Sequence, residues 1–554
     1  MIKAGNLKNV LILTVLAFCF LMLGNHMLSQ TNPDEVFYSG SAKEMMQQNT
    51  WEVPILFGKP QFEKPIFTFW LLRFGFELFG ISNFSARFFP ALFAIMGVIA
   101  VYLLVLLGAK SEKNAFICGG ILSSAGLYIG MSRTVFTDMI FTVLILLSLV
   151  AFFWAYVNSN RKFIGVMLFF VFSALAVLTK GPLGFFIPLL AVILFLLFKK
   201  DLKFLFCGSF GLGFLVFLLI SVPWYALMIK KYGREFIDEF FYNDHIRRVI
   251  EAEHKGNDTW YFYPMTMILC MFPWSLFVLA SIAEVFMKAL KKTLRTLDLF
   301  LISWIIVVFV VFQAAHSKLT SYILPLFPAL AVLAGDFIYR KLTDKPSLLV
   351  RLMQLSSVLF LILPIGLVVN SFLFSMYLPP MAFVYSAVFI LVFLIFFIFL
   401  SASQKKLLVS LFLTSLIVPI LLIFTFSWEK HYRDYVSCKN VGAYILNELK
   451  VDNTILCTKA YARGVRFYTD KPVAVINVGG RNFFSAHPIG YFDTDEKTFA
   501  FLKTQPVTYG VIKKSCLVDI ERIAGKEFKV ELLKTFGNEY VVKVTAINQQ
   551  GKKK

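Results

Sequence analysis

Runs of about 20 consecutive apolar residues, enough to cross a bilayer as a helix, recur along this chain and constrain its fold more than any other feature. They lie near Leu11–Leu28, Ser85–Leu107, Ala115–Gly130, Met139–Val157, Phe163–Leu178, Leu183–Phe198 and Phe204–Pro223. They continue near Pro264–Phe286, Leu299–Phe312, Leu319–Tyr339, Leu352–Phe372, Met381–Leu400 and Leu407–Phe426, thirteen in all. In lipid, every backbone donor and acceptor must be satisfied inside the protein, so such runs are helices. The chain therefore reads as mainly α, a polytopic transmembrane bundle of about 13 spans. Composition agrees, since 58% of the residues are apolar and only 16% charged, against about a quarter charged in soluble domains.

The polar connections carry the orientation. Lys110–Lys113, Asn158–Lys162, Lys199–Lys203, Lys288–Arg295, Arg340–Arg351 and Ser401–Lys406 each hold at least two Lys or Arg. The short connections between them hold one (Arg133, Lys180, Lys318) or none (Ser371–Pro380). By the positive-inside rule the first group is cytoplasmic and the second external. The net charge of +21, with cations at the ends of apolar runs, suits anionic headgroups and phosphate-bearing membrane lipids. It does not point to nucleic acid.

Three external segments are too long to be turns: 29–84, 224–263, and the tail from about Ser427. Residues 1–428 form the membrane domain, with 29–84 and 224–263 as its large external loops; part of the first is predicted to lie as a juxtamembrane helix. Residues 429–554 are expected to form a small external soluble α/β domain. Its helix-like stretch is Val436–Leu449, its strand-like runs are Thr454–Thr458, Pro472–Val478 and Val507–Ile512, and a hairpin pattern surrounds Gly537. Cys438, Cys457 and Cys516 in this tail show neither metal spacing nor an even count, and no disulfide is expected.

The chemically capable residues gather on the external side. Asp34 follows Pro33 at the outer end of the first run, where it is either a helix N-cap or a functional carboxylate. Glu35, about 100° further round a helix, is expected to matter less. Glu63-Lys64-Pro65 follows, then Arg133 and Asp138, Thr179-Lys180-Gly181-Pro182, and Asp244-His245-Ile246-Arg247-Arg248. Lys318 and Tyr322 close the set. A carboxylate such as Asp138 at the start of a span needs a partner. A transporter would place such charges at mid-membrane and often shows repeats; neither pattern is present in the sequence. A scaffold would give no reason for the clustering.

The ordered set Asp34-Glu35 with Tyr38, Glu63-Lys64-Pro65, Thr179-Lys180-Gly181-Pro182, and Ser317-Lys318 leading to Tyr322-Ile323-Leu324-Pro325 resembles the GT-C glycosyltransferases. The resemblance runs over most of residues 9–340 and is nearest the lipid A aminoarabinose transferase branch, beside the protein O-mannosyltransferases. It implies an external cavity, a polyprenyl-phosphate-linked sugar as donor, and an acceptor that is lipid A, another envelope glycolipid or a protein. It implies a bacterial inner-membrane location with the active site and the soluble domain on the periplasmic side. Asp34 and Asp138 are then the catalytic candidates, and Lys64, Arg247 or Arg248, Lys318 and Tyr322 the candidates for holding the donor phosphate. Glu63 and His245 are the only candidates for a divalent metal, and no cofactor is required. One position departs: the branch places an Arg three residues after the Asp, and this chain has Phe37.

Overall fold

The computed structural model describes residues 4–253, 255–360, 369, 380–401, 406–480 and 489–547. Among these, seven helices are long and apolar enough to cross a membrane, or nine spans if each of two bent pairs counts as one. The protein is an integral membrane protein, mainly helical, with a small sheet near its C-terminal end. The thirteen apolar runs do not all become full spans: Leu7–Leu21 and Leu183–Lys199 are shorter apolar helices. Residues 361–368 and 370–379, which carry most of the latter half of the run Leu352–Phe372 and nearly all of the connection Ser371–Pro380, lie outside the described residues.

Two runs that read as continuous are broken. Glu112–Ser124 and Gly126–Ser132 meet at 65°, and Phe262–Cys270 and Ser275–Leu290 at 118°. A break inside a membrane bundle exposes backbone groups that need partners, and here each break supplies the other. The Gly126 amide donates to the Phe272 carbonyl at 2.8 Å, and Trp274 Nε1 donates to Ser124 Oγ at 2.9 Å. Elsewhere helices approach closely over small residues. A Cβ on Gly335 would meet Cys118 Sγ at 2.4 Å and Cys118 Cα at 2.8 Å.

A buried ion pair ties together the end of the bundle that faces the tail sheet. Asp34–Gln47 is a helix whose N-cap is Pro33, with no side-chain cap hydrogen bond. Glu35 in its first turn accepts Arg87 Nε at 2.8 Å and Arg87 Nη2 at 2.6 Å, plus the Thr31 amide at 2.9 Å and the Val135 amide at 3.0 Å. The other Arg87 donors reach the carbonyls of Asn25, Leu28 and Ser29. Arg133 works similarly, donating to the carbonyls of Phe20 (2.7 Å) and Leu23 (2.8 Å). These belong to the C-terminal turn left open where the helix Ala4–Leu21 ends. Glu35 thus has a structural part that the sequence reading did not give it, joining four chain segments. A second charge cluster holds the opposite end, where Asp336 receives Arg295 at 2.5 Å, Arg340 at 2.9 Å and Asn114 Nδ2 at 2.8 Å.

The tail sheet has six strands: β1 Ile455–Thr458, β2 Val473–Ile476, β3 Gly490–Phe492, β4 Val507–Ile512, β5 Phe528–Phe536 and β6 Glu539–Ala546, in spatial order β3-β2-β1-β4-β6-β5. The first four are parallel and the last two pair antiparallel. The strand runs and the hairpin at Gly537 lie where the sequence placed them; β3 and the helices Ala462–Thr469, Asp495–Leu502 and Lys514–Ala524 went unread. Alternate residues of β1 face opposite layers. Ile455 and Cys457 pack against the helices at 439–449 and 462–469, while Leu456 packs against those at 495–502 and 514–524. All seven cysteines are free.

Removing one partner from a buried ion pair costs about 3–5 kcal/mol. Arg87→Met and Glu35→Gln should each lower the thermal midpoint of the detergent-solubilised protein by several degrees, with the double variant more stable than their sum. An unchanged midpoint for Glu35→Gln would dismiss the tie.

Glu539 offers a pH test of the tail. Burial pushes its carboxyl up to about 8; Oε1 accepts the Cys438 thiol at 3.0 Å and Oε2 has no hydrogen-bond partner among the described residues. The folded state then holds a proton that the unfolded state loses above its ordinary value of 4.5. Stability contributed by this group is full below that value and falls as pH rises to about 8. Glu539→Gln should flatten the decline of the midpoint between pH 5 and 8, read by differential scanning fluorimetry.

Candidate active site

Between the long loops at one end of the bundle and the tail sheet lies a cavity of about 780 Å³. One wall holds Asp34, Tyr38, Glu63, Lys64, Asp138, Lys180, Arg248 and Tyr322; the opposite wall comes from the soluble domain. Asp34, in the first turn of its helix, is exposed where Glu35 is buried. One helical step thus separates a carboxylate that faces the cavity from one that holds the scaffold. Pro33, and not Asp34, is the N-cap residue of this helix.

The cations on this wall are arranged by carboxylates. Asp244, itself buried, ion-pairs with Lys64 and accepts Arg248 Nε at 2.9 Å. Arg248 Nη1 also reaches Glu253 at 2.6 Å and the Tyr322 hydroxyl at 3.3 Å. Asp138 accepts Lys180 Nζ at 2.5 Å, and that ammonium sits 4.2 Å from the centre of the Tyr322 ring. Lys64 and Asp244, like Asp138 and Lys180, sit far apart in sequence, whereas Asp244 and Arg248 are four residues apart. Asp244 lies in a π-helix from Ile237 to Arg247, a winding frequent at functional sites. Asp244 is the residue the sequence reading passed over, although its four-residue spacing to Arg248 is a helical pairing signal.

Arg247 and Arg248 separate. Arg248 lines the cavity, whereas Arg247 pairs with Glu251 at 2.8 Å and is absent from the lining. Lys318 is also outside it: its ammonium is buried against Asp258 at 2.7 Å, although Leu319 and Ser321 line the cavity. His245 packs on Phe240 with ring centres 4.6 Å apart, and its Nδ1 lies 2.7 Å from the Phe240 carbonyl. Its ring fits there because position 181 is glycine at φ 88°; a Cβ would stand 2.3 Å from Nε2.

Glu63 and His245 make a poor metal site. Among the described residues no group of three or more His, Cys, Asp or Glu side chains is arranged to hold a metal. Glu63 faces cations instead. Burial raises its carboxyl above the ordinary value against the pull of Arg463, whose guanidinium stands 3.7 Å away.

Arg463 was invisible to sequence reasoning because it comes from the tail domain. Its guanidinium lies 4.6 Å from the centre of the Phe37 ring, a cation–π contact. The helix that carries it docks on the loop region through Arg466–Glu44 and Lys43–Asp470, each at 2.8 Å. Gly464 permits the approach: a Cβ there would meet Asn32 Oδ1 at 2.0 Å.

A family model described as dolichyl-phosphate-mannose-protein mannosyltransferase matches residues 8–235. The chain is 29% identical over 349 residues to the undecaprenyl phosphate-alpha-4-amino-4-deoxy-L-arabinose arabinosyl transferase of Edwardsiella ictaluri, covering 60% of this chain and 62% of that protein. An uncharacterized protein of Aquifex aeolicus is 31% identical over 334 residues, covering 60% of this chain and 74% of that one. The chain thus spans about three fifths of the length of the Edwardsiella transferase. The crystal structure of ArnT from Cupriavidus metallidurans bound to undecaprenyl phosphate has the same fold. Its TM-score is 0.80 at 19% identity, over 96% of this chain and 97% of that one.

Proposed function

The chain belongs to the GT-C glycosyltransferase superfamily, and on that premise we propose that it moves a sugar from a polyprenyl-phosphate carrier to a glycolipid acceptor. The observation that carries this reading is the cavity itself. Asp34, Lys64, Asp138, Arg248 and Tyr322, drawn from separate stretches of chain, line one space at the end of the bundle. The kinship with undecaprenyl phosphate-aminoarabinose transferases favours undecaprenyl phosphate as carrier, an amino sugar as cargo and lipid A or a related envelope lipid as acceptor. We place the site on the periplasmic side of a bacterial inner membrane, from the Lys/Arg alternation. The thirteen-span count belongs to the same proposal.

The reaction breaks the bond between the anomeric carbon and the carrier phosphate oxygen, through an oxocarbenium-like state. The departing phosphate gains charge in a site shielded from water, where fixed cations act most strongly. Lys64 and Arg248, both aimed by Asp244, are the groups for that task, with the Tyr322 hydroxyl beside them. Arg463 adds a guanidinium over Phe37, the position where the related transferases carry their own Arg. Asp34, exposed to the cavity, takes the acceptor's proton if a hydroxyl attacks, or orients the acceptor if a phosphate oxygen does. Asp138 fixes Lys180 and faces the sugar. Glu63 and His245 hold neighbouring loops in place, and no step is routed through a metal.

Asp34→Asn should express and fold normally yet lower transfer from undecaprenyl-phosphate-linked sugar in membranes by at least about 10². Full activity of this variant would remove the enzymatic reading.

Lys64→Ala and Arg248→Ala should each cost about 10²–10³ in rate, the scale of one donor to a developing anion. Lys59→Ala and Arg247→Ala, whose side chains lie outside the cavity lining, should stay near wild type. Equal losses across all four would point to surface charge and not to a cradle.

A further inference from the structure

The wall of the cavity contributed by the tail domain has its own architecture. β1 and β4 are neighbouring parallel strands, paired through Leu456–Gly510 and Cys457–Val511. After β1 the chain turns to the helix Ala462–Thr469 on one face of the sheet; after β4 it turns to Lys514–Ala524 on the other. The two connections part at the carboxyl ends of adjacent strands, the crevice where open α/β sheets bind ligands. This crevice opens onto the cavity: Thr458, Lys459, Lys513 and Ser515 all line it. The Lys513 amide donates to Thr458 Oγ1 at 2.9 Å, which locks the two strand ends together. The lysines one residue beyond each strand therefore leave the sheet about 4.8 Å apart.

The charge of this wall is positive. Of its lining side chains Asp519 is a carboxylate, 3.4 Å from Arg522, which Asp495 also holds. Against it stand three cations, Lys459, Arg463 and Lys513. Burial, and then the nearby Arg463, depress the Lys459 ammonium below its ordinary value, against the opposing pull of Glu253 on the facing loop. The crevice also stands across the cavity from Lys64 and Arg248, on the domain that carries no apolar span.

We infer that the strand-end crevice of the tail domain, built on Lys459 and Lys513, is a second anion subsite that holds a phosphomonoester of the acceptor headgroup during transfer. The inference rests on the glycosyl-transfer reading for its role and not for its existence. Two phosphate sites facing each other divide the labour. The carrier phosphate is held on the bundle side near the lipid tails, and the acceptor phosphate on the soluble side. The sugar passes between them, and a phosphorylated headgroup is chosen over an unphosphorylated one.

The test uses the full chain in neutral-lipid nanodiscs, with undecaprenyl phosphate added to saturation so that the carrier site is filled. Glucose 1-phosphate is then titrated as a soluble phosphomonoester, with glucose as its control, followed by saturation-transfer NMR. Wild type should bind the phosphate ester and not glucose. Lys459→Gln/Lys513→Gln should weaken binding at least tenfold without changing undecaprenyl phosphate affinity, and Lys459→Arg/Lys513→Arg should restore it. In transfer assays the Gln pair should raise KM for a phosphorylated acceptor with kcat little changed. Equal binding by wild type and the Gln pair, or complete displacement of glucose 1-phosphate by undecaprenyl phosphate, would overturn the subsite. Should the subsite behave as expected while wild type moves no sugar, the glycosyl-transfer reading fails and the subsite stands.

Discussion

The Glu35–Arg87 pair is the interaction on which the cavity end of this protein depends. A carboxylate and a guanidinium are both buried there, and every donor of the guanidinium has an acceptor. Desolvation makes such a pair expensive unless its remaining hydrogen bonds are complete, and here they are. Completeness also gives it structural meaning. The atoms that satisfy the pair come from the end of the first helix, the turn before Asp34, the long helix Asn83–Ala109 and the strand-like link at Val135. Fixing those four fixes the first turn of the helix Asp34–Gln47, and with it the direction in which Asp34 points. The residue facing the cavity is positioned by its neighbour in sequence, which faces away.

The same logic runs through the cavity. Lys64 and Arg248 share Asp244, Lys180 takes Asp138, and Arg463 stands beside Glu63. Each cation is thereby held in place and partly neutralised while the site waits for an anionic ligand. An unpaired cluster of cations in so shielded a place would repel itself and lose ionisation. Paired cations keep their positions, and under the proposed transfer a phosphate would meet donors that are already oriented. The carboxylates set where those cations stand.

The tail domain is a wall of the site and not an appendage. Its helix Ala462–Thr469 approaches the turn at Asn32 because Gly464 has no side chain, and ion pairs on either flank keep it there. That docking sets Arg463 over Phe37 and turns the carboxyl ends of β1 and β4 toward the bundle. Phe37 thus gains a guanidinium from several hundred residues away.

The sequence by itself determined the class of molecule. Apolar runs of spanning length leave a chain no alternative to helices in lipid, and the alternation of Lys and Arg sorts its connections into two sides. It also exposed Asp34, Lys64, Asp138, Arg248 and Tyr322, because charges at span ends are costly enough to stand out. It could not divide Arg248 from Arg247, since adjacent residues of like type differ only in the direction a helix turns them. Nor could it show the breaks at Ala125 and Phe272, which persist because each supplies the hydrogen bonds the other lacks. Asp244, Arg463 and the lysines at the strand ends became legible only when distant segments met. Their partners are set by packing, and packing is a property of the folded chain that no local pattern of residues records.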